Sequence, residues 1–331
     1  MRVLIALDKF RGTVTAAEAT AAVGHACWEL GHDADEAPVS DGGEGLLDVL
    51  GGANRTSIVT GPLGAPVEAA WRLSGRTAVI EMARASGLAL AGGAEGNDPL
   101  EATTFGTGEL IDRSLEQGAR NLVVGLGGSA TTDGGLGALQ ALRSPARLRA
   151  VDLQVACDVR TTFVDAAAVF APQKGASPAQ VALLTARLEG LAARYRTEYG
   201  VDVRNLPGSG AAGGLAGGLA AAGARLVPGF DLVAEHLALD ERLAAADVVV
   251  TGEGYLDAQS LDGKVVGGVI DLAAEVGRPV VVIVGDADTD VVERLGGATV
   301  LSLVDRYGES RPFTEPRWCI EHAAAEALRN C

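Results

Sequence analysis

ADVVVTG (246–252), RPVVVIVG (278–285) and ATVLSLV (298–304) are three nearly uninterrupted apolar runs, rich in valine, in a chain of 331 residues. A strand with one face in water alternates apolar and polar residues. A strand that is apolar throughout is covered on both faces. Helical patterns separate the runs: KVVGGVIDLAAEVG (264–277) before the second and a short one near 288–296 before the third. Such an alternation reads as a parallel sheet with helices on both sides, an α/β fold. The beginning of the chain has the same character. RVLIAL (2–7) reads as a buried strand. TAAEATAAVGHACWELG (15–31) reads as a helix, with Thr15 as N-cap, Glu18 three residues later and Gly31 as the stop. HDADEAPVS (32–40) supplies a second short strand, and a last helix is expected from about Pro316 to Asn330.

The middle of the chain has another texture. TSIVTGPLG, VEAAWRLS and TAVIEMA, within 56–83, are short segments separated by turn residues and read as an antiparallel meander. A helix carrying GTGELIDRSLEQG follows, then the strands NLVVGLGG and LQVACDV, then a long helix near 177–200. The expected organisation is a discontinuous α/β domain, 1–50 plus 241–331, with a second α/β domain, 51–240, inserted into it.

Composition bounds the function. The net charge is −16, against nucleic acid or anionic membrane as partners. No apolar run reaches the roughly 18 residues of a membrane span, and MRVLIALDKF reads as a strand rather than a signal peptide. Cys27, Cys157, Cys319 and Cys331 are scattered without a CxxC pair, which suits a reducing cytoplasm. The dispersed histidines His25, His32, His236 and His322 read as structural.

Four stretches combine glycine with polar groups: DGGEG (41–45), GLGGSATTDGGLG (125–137), PGSGAAGGLAGG (207–218) and TGEGYLDAQSLDGK (251–264). A glycine-rich turn leading into a helix presents backbone N–H groups suited to phosphate. Gly127, Gly128 and Ser129 in the second stretch, and Gly208, Gly210 and Gly213 in the third, are the candidates. Neither an ordinary P-loop nor a dinucleotide fingerprint is present. The alternative task for these glycines is tight turns and close packing. Of the 27 basic residues only three are lysine: Lys9, Lys174 and Lys264. A compact ammonium is not interchangeable with a guanidinium, so these three positions stand out. Lys9 directly follows the first strand, where open α/β sheets hold ligands.

Asp8, Asp41, Glu44, Asp133, Asp158, Glu253 and Asp257 all fall at or just beyond expected strand ends. Acids beside phosphate make sense with a divalent cation between them, and one carboxylate is then left to take the proton of an attacking hydroxyl. Asp41 is the first candidate for that base and Asp133 the second. Asp41, Glu44 and Asp158 are candidates for the metal. The competing role for Asp41 and Glu44 is to cap a helix EGLLDVLG.

In order along the chain, ALDKFRGTVTAAEA, PVSDGGEG, IEMARASGL, TTFGTGELI, GGSATTDGG, VACDV, FAPQKGA, GSGAAGGL and ADVVVTGEG resemble the motifs of the bacterial glycerate kinases of the glyoxylate and glucarate pathways. The resemblance covers nearly the whole chain. It implies transfer of the ATP γ-phosphate to a hydroxyl of D-glycerate with Mg²⁺, giving 2-phosphoglycerate, with 3-phosphoglycerate as the other product to test. It also implies a flavodoxin-like domain with strand order 2-1-3-4-5, a second α/β domain and a site in the cleft between them. On this reading Lys9 joins the catalytic residues. Asp8, Arg11, Arg84, Glu253, Asp257 and Lys264 contact the substrate, and Lys174 contacts phosphate. Three departures from the family pattern stand out. CDVRTTFVD has Thr161, Thr162 and Phe163 after CDV where the family usually has Asn-Pro, Tyr255 stands where it often has Arg, and the segment before VACDV is short. They bear on the acceptor, so a kinase for another small hydroxy acid or polyol, or a non-catalytic sensor of a phosphorylated metabolite, are the alternatives. Monomer and homodimer are both open.

Overall fold

The computed structural model of the chain describes residues 1–10, 12–261, 263–295 and 297–329. Its strands are β1 (Arg2–Leu7), β2 (Asp33–Glu36), β3 (Arg55–Thr60), β4 (Pro66–Ser74), β5 (Thr77–Glu81), β6 (Asn121–Gly125), β7 (Asp152–Ala156), β8 (Arg225–Val227), β9 (Val248–Leu256), β10 (Val280–Ala287) and β11 (Thr299–Ser302). The residues fall into two compact units. The first comprises Met1–Asp41, Asp48–Leu50 and Phe230–Cys331; the second comprises Gly42–Leu47 and Gly51–Gly229. Residues 230–240, placed by sequence in the inserted domain, cluster with the first unit. Phe230 is the reason: its ring is buried, and a Cβ on Gly268 would lie 2.2 Å from it.

The first unit is a five-stranded parallel sheet in the order β2-β1-β9-β10-β11. This is the expected 2-1-3-4-5 order. Val3, Ile5 and Leu7 of β1, with Val248, Val250, Val281 and Ile283, pack on one face against the helices Ala16–Glu29 and Pro316–Leu328. Helix Val265–Glu275 packs against β1, β9 and β10. Alternate residues of one strand thus meet different helices, which is why the runs are apolar throughout. Thr15 and Glu18 form the expected capping box, and Gly31 adopts φ +71°. The last helix ends at Leu328; Asn330 lies outside the described residues.

The second unit holds a six-stranded mixed sheet, β3-β4-β5-β6-β7-β8. The meander β3-β4-β5 is antiparallel as expected, and β5 through β8 are parallel. Its core is built on Trp71, Ile80, Leu110, Ile111, Leu122, Phe163, Leu188 and Tyr195. Helix Pro178–Tyr199 begins with a Ser177–Gln180 capping box and ends at Gly200, φ +75°. No helix among the described residues is long and apolar enough to cross a membrane.

Candidate active site

At the carboxyl ends of the two central strands of the first unit lies a pocket of about 300 Å³. The register Leu7↔Gly252, continued by the Asp8 N–H donating to the Gly252 carbonyl (2.9 Å), places Asp8, just past the end of β1, beside Glu253, which lies within β9 shortly before its end at Leu256. Lys9, Asp41, Asp257 and Lys264 line the same pocket, with Tyr255 and Ser260. Carboxyl ends of parallel strands are where open α/β sheets hold ligands. Six candidates named from sequence are therefore gathered here: Asp8, Lys9, Asp41, Glu253, Asp257 and Lys264. Arg11, the seventh from this part of the chain, lies outside the described residues.

The electrostatics are unusual for a resting surface. Asp8 is 7% exposed. Burial pushes its pKa up to about 6; the Lys9 ammonium and backbone N–H pull against this, and Asp41 adds to it. Lys9 Nζ stands 3.5 Å from both Asp8 Oδ1 and Asp41 Oδ1. Burial likewise pushes Glu253 up to about 7, opposed by the Ser260 hydroxyl and Lys264 and reinforced by Asp8 and Asp257. Glu253 Oε1 is buried and has no hydrogen-bond partner. Asp257 Oδ1 accepts from the N–H groups of Gln259 (2.8 Å) and Ser260 (3.1 Å), so one of its oxygens is committed to the turn after it. The helix after Asp41 begins only at Leu46, too late for Asp41 to be its N-cap.

In the second unit three glycine stretches lie against one another. A Cβ on Gly127 would come within 2.8 Å of the Glu44 nitrogen, and one on Gly213 within 2.0 Å of the Thr131 carbonyl oxygen. The Gly134 N–H donates to the Gly213 carbonyl (3.0 Å). Gly208 and Gly210 meet Cys157 and the Thr162 carbonyl at similarly short range. Much of the glycine content thus serves backbone contact, which was the alternative reading for these loops. Among the described residues the N–H groups of Gly127, Gly128 and Ser129 find no acceptor.

Asp133, the second base candidate, is heavily hydrogen-bonded. Oδ2 accepts from the Thr104 N–H and hydroxyl (2.8 Å each) and from Gly137 N–H (3.2 Å), and Oδ1 accepts from Gly135 N–H (3.0 Å). These bonds hold the start of helix Leu136–Ala141, whose Ala138 N–H goes to Thr104 Oγ1. The helix terminus expected to receive phosphate therefore spends its donors internally. Lys174 is 2% exposed and donates to Ser129 Oγ (2.8 Å) and the Thr131 carbonyl (2.7 Å). Burial pulls its pKa down to about 7, against the attraction of Asp133. Glu44 and Asp158 are exposed, and Asp158 accepts from Gly229 N–H (2.6 Å). Among the described residues, the group of three possible metal ligands whose atoms lie within 4.8 Å of one another is His25, Glu29 and Glu321, none of which lines the pocket.

Glu81 was missed by sequence reasoning. It is 3% exposed at the end of β5. One oxygen accepts from the N–H groups of Gly45 and Leu47 (2.9 Å each), the other from Arg84 Nε (3.0 Å). It anchors the DGGEG loop and orients Arg84. The available signal was an acid at a strand end, three residues before an arginine, inside the quoted IEMARASGL.

The model of the glycerate kinase family matches residues 3–145 and 143–330. The glycerate 2-kinase of Escherichia coli K12 is 39% identical over 350 aligned residues, covering 93% of this chain and 92% of its own. A glycerate kinase of Bacillus subtilis 168 is 38% identical, covering 92% and 90%. A crystal structure named as glycerate kinase 2, from Salmonella typhimurium LT2, superposes with a TM-score of 0.83 at 33% identity, over 100% of this chain and 98% of that one.

Proposed function

Since the chain belongs to the glycerate kinase family, we propose that it transfers the γ-phosphoryl group of ATP to a hydroxyl of D-glycerate, giving 2-phosphoglycerate, with Mg²⁺ as the cation. The observation that carries this reading is the pocket at the ends of β1 and β9. Its described lining sets four carboxyl groups, Asp8, Asp41, Glu253 and Asp257, against two ammonium groups, Lys9 and Lys264. A buried carboxylate oxygen without a donor, Glu253 Oε1, is a position that a hard cation suits. Asp8 and Glu253 are the residues that would hold Mg²⁺, which leaves Asp41 for the proton. Bound there, the cation would offset the negative charge that phosphoryl transfer concentrates on the phosphate oxygens.

The chain's own groups divide the remaining work. Asp41, half-buried and paired with Lys9, takes the proton of the acceptor hydroxyl. Lys9 and Lys264 hold the acceptor carboxylate or the transferred phosphoryl group by charge. Within the second unit, taken by itself, Gly127, Gly128 and Ser129 carry donors suited to phosphate oxygens, and Arg84, fixed by Glu81, carries a guanidinium. Positioning and charge neutralisation carry most of the rate in such transfers.

One observation favours a second acceptor. Tyr255, 52% exposed, lines the pocket and donates its hydroxyl to Asp288 Oδ1 (2.7 Å), which makes that wall neutral and acidic rather than cationic. A polyol, which carries no carboxylate, would suit such a wall better than glycerate would. The test is ATP consumption with Mg²⁺ and D-glycerate, the product identified by ³¹P NMR, beside a panel of longer hydroxy acids and polyols. Absence of turnover with glycerate, with turnover on a longer acceptor, would transfer the assignment to that acceptor.

A further inference from the structure

Lys174 places a charged group where no ligand reaches it. Its side chain is almost fully buried, and its Nζ donates to Ser129 Oγ (2.8 Å) and to the Thr131 carbonyl (2.7 Å). Its own carbonyl is held by Asn97 Nδ2 (2.9 Å), which also holds the Ala130 carbonyl (3.1 Å). From the other side, the Leu88 N–H donates to the Gly128 carbonyl (2.8 Å) and the Ala130 N–H to the Ser86 carbonyl (3.0 Å). The backbone around Ser129 is thus fixed on both sides, while Ser129 itself remains partly exposed.

Donor and acceptor capacity sets the direction of the Lys174–Ser129 bond. An ammonium has three donors and no acceptor; a hydroxyl has one donor and two acceptor lone pairs. Ser129 Oγ therefore accepts from Lys174, and its own proton is left for an acceptor elsewhere. We propose that Lys174 is a positioning residue for phosphate binding at the Gly127–Ser129 turn of the second unit, which by donating to Ser129 Oγ commits the Ser129 hydroxyl to donate outward, to an oxygen of a bound phosphate. This rests on the kinase reading of the chain. It also gives Lys174 a different task from the direct phosphate contact expected from sequence. A neutral amine would still carry two donors but would gain a lone pair, and so would no longer commit the Ser129 hydroxyl to donate outward. The ammonium fixes the polarity of the Ser129 bond; the neutral amine leaves it open. Asp133 is the charged group that bears on Lys174 and favours the ammonium, while Asn97, Ser129 and Thr131 on the adjoining segments are neutral.

The test is a double-mutant cycle on Ser129→Ala and Lys174→Met, with ATP affinity read by calorimetry without acceptor, and kcat and KM read separately with it. A hydrogen bond to a charged group sets the expected size, roughly 10- to 100-fold for either single variant. The double variant should lose no more than about twofold beyond the worse single one, the mark of one shared interaction. Losses that multiply would overturn the proposal. If Lys174→Met does not fold, the pH profile of ATP affinity for Ser129→Ala replaces the cycle: it should be flatter than the wild type's, and a profile as steep as the wild type's would overturn the proposal. Wild-type affinity for ATP should weaken from pH 6 to pH 8.5, across the range in which Lys174 loses its proton, and the Lys174→Met variant's should change far less; parallel pH profiles would overturn it. A wild type that binds ATP but phosphorylates no acceptor removes the kinase reading and leaves this inference to the affinity data. A wild type that binds neither ATP nor pyrophosphate removes both.

Discussion

Asp41 stands 3.5 Å from the Lys9 ammonium in an acid-rich pocket, and the next helix starts too late for it to be a cap. Asp41→Asn keeps the shape and removes the base. We expect kcat to fall by about 10²- to 10⁴-fold, the usual worth of a general base, with the thermal melt unchanged. A variant of full activity would take Asp41 out of the chemistry. Lys174 makes a prediction in stability. Its amine titrates at about 7 in the folded chain and at 10.5 ordinarily. Between those values the unfolded chain holds more protons, so stability rises with pH across this window and is least below pH 7. Lys174→Met abolishes this contribution. The stability difference between wild type and variant, from urea unfolding, should therefore shift by about 2 kcal/mol in favour of the wild type between pH 7 and pH 9.

At the scale of elements, the glycine loops of the second unit are joints between backbones as much as cradles for a ligand. Gly213 adopts φ +66°, and a Cβ there would lie 2.0 Å from the Thr131 carbonyl oxygen. Gly213→Ala meets both the left-handed penalty and a backbone clash, so a loss of about 2–4 kcal/mol is expected. Urea midpoints would measure it, and a loss under about 0.5 kcal/mol would show that the loop relaxes freely. The four glycine stretches were legible in the sequence as glycine-rich turns, but their division of labour was not. Gly127 and Gly213 look alike in one dimension, and only the neighbouring chain tells which of them abuts a carbonyl. The same holds for Asp133. A strand-end acid reads as catalytic from sequence, and only the fold shows that Thr104, Gly135 and Gly137 donate to its oxygens.

For the whole molecule, the chain leaves the first unit, builds the second and returns. The core of the second unit is drawn from residues 59–222 alone. A fragment of residues 42–229 should therefore fold by itself, with a dispersed amide NMR spectrum and a cooperative melt. Residues 1–50 alone should not, because β1 pairs with β9, some 240 positions further on, and the sheet is incomplete without it. A fragment 42–229 that behaved as a molten chain would mean that its core depends on the other unit.

The all-apolar runs at 2–7, 246–252 and 278–285, with helical patterns between them, determined a parallel sheet by themselves, because burial on both faces leaves no other pattern. The strand order 2-1-3-4-5 came from the family resemblance, and the register bears it out. Chain order also put acids at or near the ends of the strands, although Glu253 lies within β9, which runs on to Leu256. What the sequence could not contain is which of those acids meet. Asp8 and Glu253 are neighbours only because two strands far apart in sequence lie in register. Glu81 reaches the DGGEG loop only because β5 ends beside it. The unpartnered Glu253 Oε1, the buried Lys174 and the heavily hydrogen-bonded Asp133 are products of desolvation and of hydrogen bonds from distant segments. Burial and partner choice are properties of the packed chain, and tertiary structure alone decides them.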